Sequence, residues 1–505
     1  MAGGLNFVHT DTMLVANGLV GKRNARPGQA KGDEASQGKP GRSPARKDRD
    51  RLFYADSFHR LNGITQVLSP SLKVPALHNR LTHSMKVAQV ARSIAEQLIR
   101  KSYDDTGLRK HILKHGGIDA DVVEAAALAH DLGHPPFGHI AEAQLDAIAR
   151  RGSSAIRADG FEGNAQTFRI ITKTEPYKII GDGLSLTRAT RAAVLKYPWP
   201  RPNLHIDKPA EHDRKMRDEP QYAAKWKKFG YYSSEAADFQ DARSWLPVEM
   251  RQGEHQSLEA TIMDIADDIT YAVHDIEDFY KGSLLDMLAI RGELKDYIDS
   301  PQSFSGQAFR HLERSLSKKY PGIFNAAFMR NVMEKIVIPN FSVRFQTRYD
   351  GTDRACQKVR QFASDAVDSL INAVEPADPQ KTKVGAYLFL DNQAWHVVQL
   401  YKQIVRDFVI GRSDVALIQR SQAALIQELH DELVLWRAEA DRADATHSLP
   451  ARLRDENDYY GSNGPFGSID RMPIDYLCTL TDAQVYQLHS VLKSLEAPEI
   501  VRASL

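Results

Sequence analysis

Only two cysteines, Cys356 and Cys478, occur in 505 residues, too few for a disulfide framework and in keeping with a reducing compartment. No apolar run approaches the roughly 18 residues of a membrane-spanning helix, so no transmembrane segment is expected. Charge of one sign is missing too: 66 Lys and Arg stand against 65 Asp and Glu, a net charge of +1. A surface built throughout for nucleic acid or anionic lipid would be basic, so any polyanion must meet a local cluster of cations. There is no fixed-period repeat. Asp11 and no Lys or Arg precede the apolar stretch 13–20, the wrong charge order for a secretory signal, and the cytoplasm is the expected location. With 42% hydrophobic and 26% charged residues, the composition is that of an ordinary globular chain able to bury a large core.

The near-zero charge conceals an asymmetry. Residues 22–51 hold ten Lys and Arg against four Asp and Glu, and nothing more apolar than Ala or Pro, which leaves the rest of the chain mildly acidic. Such a stretch cannot offset its ordering entropy by burial, so residues 1–46 are expected to be a basic, flexible N-terminal segment. From Leu52 onward helical periodicity dominates. Val87, Val90, Ala91, Ile94 and Leu98 give a helix over 83–100 with His83 at its start on the core-facing side. A second helix runs from Asp119 to about Leu132, stopped by Gly133 and Pro135-Pro136, with His130 and Asp131 in its last turn. A third, 257–280, carries Ile262, Ile265, Ile269, Val273 and Ile276 on one face and Asp264, Asp267, Tyr271, Asp275 and Asp278 on the other. Residues 395–410 and 423–436 are also amphipathic, while 335–345 and 385–390 are the strand candidates. The expected class is mainly α, with few short strands.

Taken singly, the polar features are ordinary, since a lone helical histidine is usually packing and an acidic face is usually solvated. Their company is not. Gly133, Pro135, Pro136 and Gly138 make a tightly turned loop directly after His130-Asp131, and His134, His139 and Glu142 sit on or just beyond it. His139 and Glu142, three residues apart, share a helix face, as suits a proton-donating imidazole oriented by a carboxylate. Imidazole nitrogen beside carboxylate oxygen suits Mn, Fe, Mg or Zn, and no cysteine lies near enough for a thiolate site. Like charges at helical spacing cost about 0.2–0.5 kcal/mol per pair, more when desolvated, so a divalent ion or cationic side chains should face the acidic stripe.

Several motifs occur in order: Asp48-Arg49-Asp50-Arg51; Arg60-Leu61 followed by Thr65-Gln66-Val67; His78 to His83-Ser84; His130 to His139; Phe161 to Gln166; Leu195 to Pro198; Lys228 to Tyr232; and Ala266 to Tyr271. In this series, from about Lys47 to Tyr280, the chain resembles the HD-domain deoxynucleoside triphosphate triphosphohydrolases, the dGTPase-like enzymes. The resemblance implies an HD catalytic core over 47–290 and a mostly helical region over 291–505 that completes the core and makes oligomer contacts. It implies metal binding by His83, His130, Asp131 and Asp267, with Mg or Mn as the divalent ion and Fe or Co as further candidates. Asp267 is preferred to Asp268 because the family pattern places a Tyr four and an Asp eight positions later, met by Tyr271 and Asp275. Helical geometry agrees, because Asp268 is turned about 100° away.

By the same resemblance, Tyr271 packs on the deoxyribose, Asp275 and Gln66 take the 3′-hydroxyl, Arg80 takes the α-phosphate, and Lys196, Tyr197 and Lys228 grip the distal phosphates. His139, assisted by Glu142, is the expected proton donor, with His134 as the second candidate. The implied activity is hydrolysis of dGTP, or of dNTPs generally, to deoxynucleoside and triphosphate, controlling dNTP pools. A homo-oligomer, a hexamer by preference, and an allosteric nucleotide are implied as partners. Two other readings compete: an HD phosphohydrolase of another nucleotide, and a nucleotide-sensing HD protein that binds single-stranded nucleic acid through residues 22–51. The sugar-facing Tyr271 and the pair Lys196 and Lys228 disfavour a monophosphate substrate; intact His83, His130, Asp131, Asp267 and His139 disfavour a site without turnover.

Overall fold

A computed structural model describes residues 6–27, 42–66, 78–178, 181–201, 227–252, 254–299, 307–382, 385–440, 449, 453, 459–460, 464 and 466–493. The chain is mainly helical, as expected, with a three-stranded antiparallel sheet ordered β1 (Phe7–Thr10), β2 (Met13–Ala16), β3 (Ile118–Asp119) and a second pair, β4 (Val374–Pro376) and β5 (Leu388–Leu390). Among the described residues no helix is long and apolar enough to cross a membrane.

Three helices position the polar cluster, and each starts where a side chain satisfies a free backbone N–H. Asn79 accepts from Thr82 N and opens Arg80–Asp104; Asp119 accepts from Asp121 N and opens Ala120–Ala129; Ser257 accepts from Ala260 N and opens Leu258–Lys281. The Asn79 cap starts the first helix earlier than its apolar stripe does, so His83 stands in the first turn with Arg80 one turn before it. The alanine helix is buried except at half-buried Asp121 and Glu124; its small side chains admit close approach by the helices Pro44–Phe53, Arg80–Asp104, Arg188–Val194 and Leu258–Lys281. It stops at Ala129, and His130 and Asp131 fall in the turn that follows rather than in its last turn. There His130 Nδ1 donates to the Ala127 carbonyl at 2.7 Å.

Two expectations fail. Residues 335–344 are helical, a π-helical turn Met333–Val337 followed by Ile338–Arg344: the alternation is too short to define a strand, and Met333, Val337 and Phe341, four apart, form the buried stripe instead. Residues 1–46 are not a uniformly flexible segment: β1, β2 and the helix Asn17–Asn24 build a strap onto β3, and Pro44 opens a helix capped by Ser43. Composition misjudges this stretch because its anchors are few, buried Leu14 and Val15 of β2 together with ion pairs. Arg23, 1% exposed, pairs with buried Glu259, and Arg26 Nη1 lies 2.6 Å from Asp48. Residues 1–5 and 28–41 lie outside the described residues.

One hydrophobic cluster runs from Leu14 to Val415, so stretches on both sides of residue 290 share a core. A second joins the helix His139–Arg151 to Ser413–Ala440, Met472–Leu477 and Asp482–Leu492.

Candidate metal centre and its surroundings

His83, His130, Asp131 and Asp267 converge between the three capped helices. His83 Nε2 lies 3.1 Å from Asp267 Oδ1; His130 Nε2 lies 3.6 Å from the same oxygen and 3.3 Å from Asp131 Oδ1. One ligand atom each from His83, His130 and Asp131 fits within 4.8 Å of the others. Asp268 faces away and pairs with Lys402. Because His130 Nδ1 is spent on Ala127, its Nε2 is the nitrogen left to hold an ion, and that buried atom makes no hydrogen bond. Leaving it so would be costly without a ligand, and the donor set of two imidazoles and two carboxylates fits a divalent cation.

The electrostatics agree. Burial alone would depress His130, but Asp131 and Asp267 outweigh it and hold its pKa at about 9, so without an ion a proton occupies the cluster. Burial would raise both carboxyls; His130, His134 and Arg80 hold Asp131 well below the usual range instead, and Lys196, His130 and His83 do the same for Asp267. Lys196 Nζ bridges Asp264 and Asp267 at 2.7 Å each, which keeps it charged despite burial. Beyond Lys196 opens a cavity of about 220 Å³ whose lining includes Tyr197, Asp264, Asp268, Tyr320 and Trp395. Tyr197 is edge-on to Trp199 at 5.7 Å between centroids.

The Gly/Pro loop sets the second layer. Arg80 Nη1 donates to Asp131 Oδ2 at 2.8 Å, while a Cβ at Gly138, where φ is +61°, would lie 2.7 Å from Arg80 Nη2. Glycine there lets the guanidinium under the loop. A Cβ at Gly133 would lie 2.2 Å from both Gly163 O and Thr167 N, so that glycine lets the loop close on the Gly163–Arg169 helix. His139 Nδ1 meets Glu142 Oε2 at 2.8 Å with the ring 66% exposed, and His134 Nδ1 lies 3.0 Å from Asp131 Oδ1. Burial and nearby Arg80 press the His134 pKa down to about 4, leaving it neutral near pH 7. Lys228 is clamped by Glu142 at 2.6 Å and Glu162 at 2.8 Å, so neither Lys196 nor Lys228 is a solvated side chain.

Tyr271 and Asp275 continue the face that carries Asp267. Burial and Asp275 push the Tyr271 phenol up; burial, Asp278 and Asp267 push the Asp275 carboxyl well up. Asp275 Oδ2 and Gln66 Oε1 are buried without a hydrogen-bond partner.

The sequence reading missed Asp482. Its Oδ1 accepts from Phe137 N at 2.8 Å, and its Oδ2 accepts from Thr65 N at 3.0 Å and from the Thr65 hydroxyl, tying the loop to the segment that carries Gln66. In sequence it is only an acid in the first turn of a helix opened by a Thr481/Gln484 capping box, with no signal of the loop 345 residues away.

The family model for the HD domain matches residues 80–272. The deoxyguanosinetriphosphate triphosphohydrolase-like protein of Streptomyces coelicolor is 30% identical over 469 residues, 90% of this chain and 93% of the relative. That of Bifidobacterium longum is 30% identical over 89% of this chain and 83% of the relative, and that of Shewanella pealeana 26% over 92% and 95%.

Proposed function

The chain belongs to the HD-domain family of deoxyguanosinetriphosphate triphosphohydrolase-like proteins and is a metal-dependent phosphohydrolase; from this premise we propose that it cleaves a deoxynucleoside triphosphate to deoxynucleoside and intact triphosphate. The observation that carries the substrate assignment is the run of functions along one helix face. Asp267 belongs to the metal cluster, Tyr271 follows one turn later, and Asp275, with an unpartnered buried oxygen, one turn further. Phosphate, sugar ring and 3′-hydroxyl follow one another in the same order along a nucleotide.

His83, His130, Asp131 and Asp267 would hold the ion. A divalent cation there supplies Lewis acidity toward a phosphoryl oxygen and toward water. Arg80 offers its second guanidinium nitrogen to the α-phosphoryl charge, a task suited to a planar fork already oriented by Asp131. His139 delivers a proton to the departing 5′ oxygen, oriented through Nδ1 by Glu142, whose carboxyl Lys228 and His139 keep ionised despite burial. His134, neutral and buried, is the second candidate for that proton. Tyr271 packs on the deoxyribose, and Gln66 and Asp275 bind its 3′-hydroxyl. Lys196, Tyr197 and Lys228 receive the distal phosphates, for which the two lysines must exchange carboxylate partners for phosphate. Control of dNTP pools would follow from this reaction.

Product analysis with each dNTP and Mg²⁺ or Mn²⁺ tests the assignment. Deoxynucleoside plus triphosphate is expected, and chelation should abolish turnover. Recovery of dNMP with pyrophosphate, or of dNDP with phosphate, would exclude it. Turnover of one dNTP only when a second is present would mark an allosteric nucleotide.

A further inference from the structure

We propose that His134, His139 and Glu142 form a second, weaker divalent-cation site, suited to zinc, whose occupation blocks turnover. One ligand atom of each residue lies within 4.8 Å of the others, on a loop and first helical turn fixed by Gly133, Pro135, Pro136 and Gly138. The group adjoins the first cluster without belonging to it: Asp131 Oδ1 touches His130 Nε2 on one side and His134 Nδ1 on the other.

The His134 ring provides an independent observation. It is 6% exposed, and its Nδ1 lies 3.0 Å from Asp131 Oδ1, which leaves Nε2 as the nitrogen not committed to that carboxylate. A neutral imidazole held in this way through Nδ1 keeps the Nε2 lone pair for a cation. His139 opens the site to solvent. Glu142 can be released to an ion because Lys228, which now holds it at 2.6 Å, is also 2.8 Å from Glu162 and stays paired there.

Two imidazoles and one carboxylate are a zinc-type donor set, and Mg²⁺, which prefers oxygen ligands, should leave it empty. Arg80 and an ion in the first cluster repel a second cation, so this site fills only in excess. Once His139 coordinates, it cannot carry a proton to a leaving group, and binding there opposes turnover.

Equilibrium dialysis of the full chain against a tenfold excess of zinc, with elemental analysis of both compartments, tests this. Two ions per wild-type chain and one in both His139→Ala and Glu142→Gln are expected. His139 is mostly exposed and Glu142→Gln keeps its volume, so both variants should keep the wild-type circular dichroism. One ion per wild-type chain, or two in either variant, would overturn the site. In wild type saturated with Mg²⁺, turnover should fall as the second equivalent binds; undiminished turnover with two ions bound would overturn the inhibitory role. The stoichiometry uses no substrate, so it stands or falls apart from the reaction proposed above.

Discussion

Asp267 and Asp268 are chemically identical neighbours with different surroundings. Asp267 accepts from His83 and Lys196 beside His130, whereas Asp268 pairs with Lys402. Asp267→Asn should therefore lose bound metal and reduce turnover by about a thousandfold or more, the range for a group acting on the reacting centre. Asp268→Asn should keep the metal and lose no more than about tenfold. Metal content of the purified variants, read beside initial rates, checks both; equal metal loss in the two would refute the assignment. The preference for Asp267 was legible from the family resemblance, whose pattern of a Tyr four and an Asp eight positions later is met by Tyr271 and Asp275. The contact of Asp268 with Lys402 was not, because it joins helices 134 residues apart.

At the scale of elements, the strap formed by residues 7–24 ends in Arg23, whose guanidinium sits 4.8 Å over Trp245 and pairs with Glu259 in the first turn of the Leu258–Lys281 helix. Glu259 also accepts from Asp119 N at 3.0 Å, so one arginine joins the starts of two helices that lead to the proposed metal ligands. Burial lifts the Glu259 pKa to about 7 even with Arg23 beside it. A carboxyl with a raised folded pKa holds more protons folded than unfolded between its ordinary value and about 7, so its contribution to stability falls as pH rises through that window. Arg23→Met should then cost about 3–5 kcal/mol at pH 8, the scale for an uncompensated buried charge, and less at pH 5.5, where Glu259 is neutral. Adding Glu259→Gln should recover much of the loss at pH 8. Urea midpoints at the two pH values decide this, and equal losses would show that Arg23 acts through packing alone. The strap was illegible in composition because its hold rests on few residues, buried Leu14 and Val15 together with the single ion pair of Arg23.

For the whole molecule, the C-terminal helices brace the Gly/Pro loop that carries His134 and leads into His139. The cluster around Leu145, Leu429, Leu433 and Leu477 seats the His139 helix, and Asp482 pins Phe137, at φ +64°, together with Thr65. Asp482→Ala should lower kcat/KM by about 10- to 100-fold, as misplacement of oriented groups does, while leaving metal content unchanged. Elemental analysis beside steady-state kinetics separates these effects, and loss of the metal would place Asp482 in the centre itself.

The division between sequence and tertiary structure follows the range of the forces involved. Helix class, the caps at Asn79, Asp119 and Ser257, the loop glycines and the His/Asp series are local in origin, set by backbone sterics, capping and 3.6-residue periodicity, and the sequence by itself determined them. The pairing of Asp268 with Lys402, the clamping of Lys196 and Lys228 by carboxylates, the bracing by Arg23 and Asp482, and the orphaned atoms of His130, Gln66 and Asp275 were decided only by packing. Desolvation and charge pairing act between surfaces that meet once the chain has folded, and no spacing along the sequence encodes them.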